Sequence, residues 1–196
     1  MKTRELYGII DSFCPKTLSC SWDNDGIMVS PSLDNEVKRV LLSLDATYEA
    51  VSYAADNGYD TLITHHPMLF RGAKSVSETT LSGRRIIRAL SSGVTVMSFH
   101  TRLDACEGGV NDALMKRLGL TPTGAFGDEE SPTLARIADI PPMTARELAC
   151  LVRDKLGCTA VRLNGKADAV VRKIGVCGGD GKGWDIQKKG MLSGSD

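Results

Sequence analysis

The residues of this chain best suited to chemistry are its three histidines, which fall at two places, His65-His66 and His100. Each place directly follows a run of β-forming residues, Thr61-Leu62-Ile63-Thr64 in one case and Val94 to Phe99 in the other. Asp45 stands in the same position after the apolar run Val40-Leu41-Leu42-Ser43-Leu44, and Asp104 follows His100 by four residues. Neutral imidazole and carboxylate together suit Zn, Mn, Fe or Co. Adjacent histidines just past a strand point to opposite sides of the chain, so one dipeptide can serve two neighbouring ions. Pro67 biases His66 toward an extended backbone and stiffens the turn that would hold both rings. The alternative is local: His65 and His66 close the strand end and hydrogen-bond to nearby backbone. Three imidazoles and no others, all after strand ends, favour the metal reading.

Elements must bring these positions together. Leu6, Ile9, Ile10 and Phe13 recur at helical spacing, so residues 1–14 read as an amphipathic helix. Turn formers fill 21–36, with a short extended piece from Gly26 to Val29. After the strand at 40–44, Thr47 caps a helix that carries Val51 and Ala55 and stops at Gly58. The unit repeats with strand 61–64, a polar loop over 71–82 and a helix from Arg84 to Leu90 that closes near Gly93. The third strand, 94–99, leads through a loop to a helix with Val110, Leu114 and Leu118 on one face, ended by Gly119. Strands alternating with helices predict an α/β lobe with a largely parallel sheet, and ligands in such sheets bind outside the carboxyl ends of the strands.

The stretch TPTGAFGDEESP (121–132) holds two Pro, two Gly and three acids, and it reads as the connection to a second α/β lobe. The expected domains are 1–124, carrying most of the metal ligands, and 125–196, which looks incomplete at its C-terminus. In the second lobe, Leu134 to Ile140 reads as a strand, and Thr144-Ala145-Arg146-Glu147 is a capping box for a helix ending at Gly157. Strands are predicted over 159–163 and 170–176, followed by a glycine loop at 178–183 and a short helix around Trp184. That loop fits neither G-x-x-x-x-G-K-[ST] nor G-x-G-x-x-G and reads as a tight turn. The segment Trp22-Asp23-Asn24-Asp25 lacks the spacing of an EF-hand and reads as a solvated turn, with Trp22 able to line a pocket or an oligomer contact.

Composition sets the outer bounds. The chain has 196 residues, with 24 Lys+Arg against 24 Asp+Glu, and is 42% hydrophobic and 5% aromatic. At roughly 100–200 residues per domain this allows one domain or two small lobes. A neutral chain without a cluster of basic residues lacks the footprint for general nucleic-acid or membrane-surface binding. No stretch approaches the ~20 apolar residues of a membrane span, so the expectation is a cytoplasmic protein. Six scattered cysteines with no Cys-x-x-Cys pair read as reduced, mostly buried thiols. Cys106 has no nameable orienting partner for a role as nucleophile.

LLSLDATYEAVSYAADNGYDTLITHHPMLFRG (41–72) and SFHTRLDACEGGVNDALMKRLGL (98–120) resemble the Nif-three-like dinuclear metal-binding family, known as GTP cyclohydrolase I type 2-like. SWDNDGIMV is similar to that family's N-terminal loop, and IADIPPMTARELACLVRDKLGCTAVRLNG with KIGVCGGDGKG to its second lobe. The resemblance implies two α/β lobes with mixed, largely parallel sheets and two divalent ions, Zn, Mn or Fe, at the lobe junction. It implies His65, His66 and Asp104 as metal ligands, with His100 beside them as a ligand or a catalytic acid/base. It further implies a toroidal homohexamer and a dinuclear metal-dependent hydrolase acting on a small molecule such as a nucleotide, by hydrolytic opening of the purine ring if the substrate is GTP. The alternative is a non-catalytic metal-binding or scaffold protein. Two departures stand out. Arg102 occupies a position where the family usually has Asn, which implies an altered pocket charge or substrate choice. The family also completes its site with a His-x-x-x-Glu motif near its C-terminus, whereas no histidine follows His100 here; the expectation is a shortened chain, the alternative a degenerate site.

Overall fold

The computed structural model describes residues 1–129, 131–179, 188 and 190. The chain divides into two compact units, Met1–Leu103 and Asp104–Asp196.

The first unit is built on a four-stranded sheet. Its strands are β1 (Gly26–Val29), β2 (Val40–Ser43), β3 (Thr61–Thr64) and β4 (Thr95–Ser98), in the order β1-β4-β3-β2. β2, β3 and β4 run parallel in exact register, Val40 opposite Thr61 and Thr61 opposite Thr95, while β1 pairs antiparallel with β4. Helices α2 (Tyr48–Asp56) and α3 (Leu81–Ser91) make the two crossovers. Both begin where the side chain of a threonine accepts an early helical N–H: Thr47 from Ala50 and Thr80 from Gly83. Val51 and Ala54 of α2, with Ile86 and Ala89 of α3, pack with Leu62 and Val96 into the main core. β4 is buried along its whole length, as a central parallel strand should be. β2 lies at the edge and leaves Leu42 73% exposed. Helix α1 (Thr3–Phe13) sets Tyr7 against Phe99, ring centroids 6.0 Å apart.

The α/β expectation holds, and the elements of this unit stand close to where periodicity put them. Two short pieces went unseen: a single 3₁₀ turn at Lys16–Leu18 and, after His100, a short helix, α4 (Thr101–Ala105), in place of a loop.

The second unit has a three-stranded sheet of β5 (Gly124–Phe126), β6 (Ala135–Thr144) and β7 (Val170–Val176), paired antiparallel throughout in the order β5-β6-β7. Helices α5 (Val110–Leu118) and α6 (Ala145–Leu156) accompany it. Met115 of α5 lies in one core with Ala138 and Ile140 of β6 and Val171 and Ile174 of β7. That packing puts α5 in the second unit, so the division falls at Leu103/Asp104 and not after residue 124. The stretch read as a connection contributes β5. Pro141 and Pro142 fit inside β6 because the ladder with β7 is irregular between Asp139 and Met143, where donors are not required. The capping box of Thr144 and Glu147 forms as expected, and Gly119 and Gly157 end their helices at φ +81° and +70°.

The strand predicted over 159–163 is absent. Val161 and Leu163 are exposed there, and among the described residues no strand offers that segment a ladder. Alternating β-formers make a strand only where a neighbour takes their backbone groups. The helix expected around Trp184 and most of the glycine loop lie outside the described residues.

Arg136 is 6% exposed in this unit. Its guanidinium pairs with Asp112 (Nε–Oδ1 2.6 Å) and donates to the carbonyls of Thr133, Ala105 and Cys106. The hydrogen bond from Arg136 holds the Asp112 carboxyl below its ordinary range, burial opposes it, and the Gly108 N–H adds to the lowering. A carboxyl lowered on folding contributes stability that is present above its unfolded pKa of about 3.9 and is lost as pH falls through the lower folded value. Asp112→Asn is therefore expected to cost about 1–3 kcal/mol at pH 7, and less as pH falls below about 4. Urea unfolding at pH 7 and pH 3 checks this; an equal cost at both pH values would contradict it.

Among the described residues no helix is long and apolar enough to cross a membrane.

Candidate metal centre

Parallel, in-register strands end level with one another, and here their ends are stitched beyond the sheet. The His66 N–H donates to the Leu44 carbonyl, and the Phe99 N–H to the Thr64 carbonyl. Inside the strand ends, the Thr64 and Ser98 hydroxyls share a buried hydrogen bond of 2.9 Å. These backbone links carry Asp45, His65, His66 and His100 to one rim of the first unit. The imidazole centroids lie 5.0 Å apart for His65 and His66, 5.1 Å for His65 and His100, and 5.7 Å for His66 and His100. One ligand nitrogen from each ring falls within 4.8 Å of the other two.

The contacts of the Nδ1 atoms decide which nitrogen of each ring can take a cation. His65 Nδ1 lies 3.1 Å from the Phe99 carbonyl, His66 Nδ1 2.8 Å from Asp45 Oδ1, and His100 Nδ1 2.9 Å from Asp23 Oδ1. A carbonyl or ionised carboxylate only accepts, so each Nδ1 carries the proton and donates. The lone pair of each neutral ring is then on Nε2. Histidines that ligate metals are oriented by such an acceptor behind the ring, which fixes the tautomer and raises the basicity of the ligating nitrogen.

Asp23 is the partner that sequence reasoning missed. Its side chain and that of Asp25 are fully buried, so the acidic segment is not a solvated turn. Asp23 Oδ2 accepts from the Thr101 N–H (3.0 Å) and hydroxyl (2.6 Å). Burial pushes the Asp23 carboxyl up, but hydrogen bonds from His100 and Thr101 outweigh it and hold the group at about 2. Asp25 pairs with Lys16 Nζ at 2.6 Å, accepts from Ser19 and from the His100 N–H (3.3 Å), and faces Arg102 Nε at 3.3 Å. The available signal was spacing: carboxylates at i and i+2 of an extended segment share one side of the chain, with exposed Asn24 on the other.

Arg102 is fully buried in the first unit, so its charge does not set the polarity of an open pocket. It reaches Asp11 (2.7 Å) and the Tyr7 hydroxyl (3.3 Å), and lies 4.5 Å from the centre of the Phe99 ring. Burial works against its charge, and Tyr7 and Asp25 more than compensate.

Of the residues read from the sequence, His65, His66 and His100 come together, and the ligand cluster includes all three imidazoles on equal terms. Asp104 is not in that cluster; it sits on α4 at the start of the second unit, its carbonyl accepting from Asn111 at 3.2 Å. Cys106 is buried.

The sequence profile of Duf34/NIF3 (NGG1p interacting factor 3) matches residues 1–190. A Clostridium perfringens protein named GTP cyclohydrolase 1 type 2 homolog is 33% identical over 198 residues, covering 97% of this chain and 74% of its own. A Streptomyces coelicolor protein of the same name is 34% identical, covering 90% and 65%. Among solved structures, a Staphylococcus aureus hypothetical protein superposes over the whole chain and 77% of its own length, with a TM-score of 0.88 and 26% identity. A Bacillus cereus protein related to NIF3 does so over 81% of its length at 0.85 and 22%, a likeness of fold alone. By the span of that profile and the identity of these relatives, the chain belongs to the Duf34/NIF3 family.

Proposed function

We propose that this chain is a metal-dependent hydrolase whose centre is built on His65, His66 and His100. The observation that carries the reading is the set of three Nδ1 contacts, to Phe99, Asp45 and Asp23, which fix the tautomers of three rings whose ligand nitrogens cluster within 4.8 Å. Nitrogen donors of this kind suit Zn or Fe(II) and accept Mn(II). His65 and His66 hold the first ion. The family resemblance adds Asp104 as a ligand and a second ion. When bound, divalent ions supply Lewis-acid polarisation of the scissile centre and acidify water there.

The chain's own residues do the rest. Phe99 and Asp45 orient the two ligand rings. His100 is backed by the Asp23 carboxylate, which stays ionised far into acid, so its Nε2 is placed to hold and return a proton. The names of the relatives make GTP the first substrate to test, with hydrolytic opening of its purine ring as the reaction.

The test is turnover of GTP, and of phosphoester and amide model substrates, by protein loaded with stoichiometric Zn, Mn or Fe. His100→Ala is expected to keep the ion and lose about 10²–10⁴-fold in rate. Metal binding with no turnover of any substrate would replace the hydrolase with a non-catalytic metal-binding protein. Absence of metal binding would remove the reading altogether.

A further inference from the structure

Among the described residues, β2 is an edge strand with nothing paired beyond it. Val40, Leu42 and Leu44 alternate along one face of this segment and are 36%, 73% and 61% exposed. Beside them on the same face, Thr61 of β3 and Thr95 and Met97 of β4 are buried, so the cover of that face stops short of β2. On the opposite face Leu41 packs against the main core. Parallel strands are ordinarily covered on both faces, which makes this apolar row an exception.

The backbone of β2 is open as well. The Thr61 N–H donates to the Arg39 carbonyl at 3.4 Å, and a parallel ladder alternates, so Arg39, Leu41 and Ser43 turn their peptide groups toward β3 while Val40 and Leu42 turn theirs away from the sheet. Edge strands are commonly guarded by a lysine, a proline or a bulge. The stretch from Val40 to Leu44 has no such residue, and its register with β3 is regular. The segment is also complementary to itself. Turned about a two-fold axis through Leu42, it lays Leu42 against Leu42 of a second copy, Val40 against Leu44, and Arg39 against Asp45. Apolar residues then meet apolar residues, opposite charges stand at both ends, and no like charges face each other. Arg39 and Asp45 already have Tyr59 and His66 as partners in their own chain, so their pairing selects the register and adds little strength. In that register each Leu42 offers its outward N–H and carbonyl to the other. A foreign strand has no reason to match in this way, whereas a two-fold interface requires it.

We infer that β2 is a dimerisation strand: a second copy of this chain adds to it antiparallel, with the two-fold axis at Leu42, and joins the two four-stranded sheets into one. The interface does not depend on the metal reading of the histidine cluster. Its affinity comes from main-chain hydrogen bonds and the cross-strand leucine and valine pairs, and its register from the charges at either end.

The test is sedimentation equilibrium of the full chain over a range of concentrations, with a reductant present because Cys150 and Cys158 are exposed thiols. The unsubstituted chain is expected to dimerise. Leu42→Lys and Leu42→Asp each set like charges against each other on the axis and are each expected to raise the dimer dissociation constant by about 10-fold or more. An equimolar mixture of the two variants sets lysine against aspartate and is expected to recover most of the lost affinity. A monomeric unsubstituted chain overturns the proposal, as does an assembly that both variants leave intact. A mixture that associates no better than either variant alone removes Leu42 from the axis and overturns it too. So does a lower melting temperature of Leu42→Lys in samples dilute enough for both chains to be monomers, since Leu42 would then be packed within its own chain.

Discussion

His65→Ala is expected to weaken Zn(II) binding by more than about 100-fold, the upper end of what removing a mere supporting contact to a ligand costs. The ring is aimed by the Phe99 carbonyl, a backbone group that no side-chain substitution removes, so the loss measures ligation itself. Asp45→Asn provides the calibration. Asp45 only orients His66, both side chains are about half exposed, and an amide oxygen can still accept from Nδ1, so the loss there should stay within about 10–100-fold. Competition with a chromogenic chelator reads both variants. Zn affinity in His65→Ala equal to that of the unsubstituted chain would remove the imidazole cluster as a metal centre.

Arg102→Met is expected to destabilise the first unit by about 3–5 kcal/mol, the range for breaking one side of a buried ion pair. Arg102 has no solvent to fall back on, and it faces Asp11, Asp25 and the Phe99 ring at once. Its removal leaves Asp25 buried with Lys16 as its remaining cation. Asp25 also accepts the His100 N–H, so the same variant is expected to loosen His100 and lower turnover by the metal-loaded protein. The Arg102 and Asp25 side chains replaced together by apolar residues of similar volume should recover stability, because desolvation offsets much of what a buried pair gains. Urea unfolding followed by circular dichroism measures the first effect; a cost below about 1 kcal/mol in Arg102→Met would show that the guanidinium is dispensable.

Many element ends in both units were readable from local pattern. Thr47, Thr144, Gly119 and Gly157 mark helix ends by rules that involve only their near neighbours, and each performs that role. The parallel strands announced themselves as compact apolar runs separated by helices. Where the reading failed, the missing information was long-range. The segment 159–163 has the composition of a strand and no partner, while Gly124–Phe126 looks like a linker and pairs with β6. Arg102 looked like a pocket residue until its surroundings placed it in a buried charge network.

The candidate site divides the same way. Three imidazoles at strand ends follow from order along the chain, because parallel strands joined by crossovers bring their carboxyl ends to one rim. The tautomers of those rings, and hence the nitrogen that can take a cation, depend on acceptors 21, 34 and 77 residues away in sequence. The Asn24 amide is tied to the Leu69 carbonyl by a bond that spans 45 residues. Local periodicity reflects backbone geometry over a few residues, so sequence alone determined most of the elements and their order. A hydrogen bond between distant segments depends on how the loops close, and that only the folded chain decides.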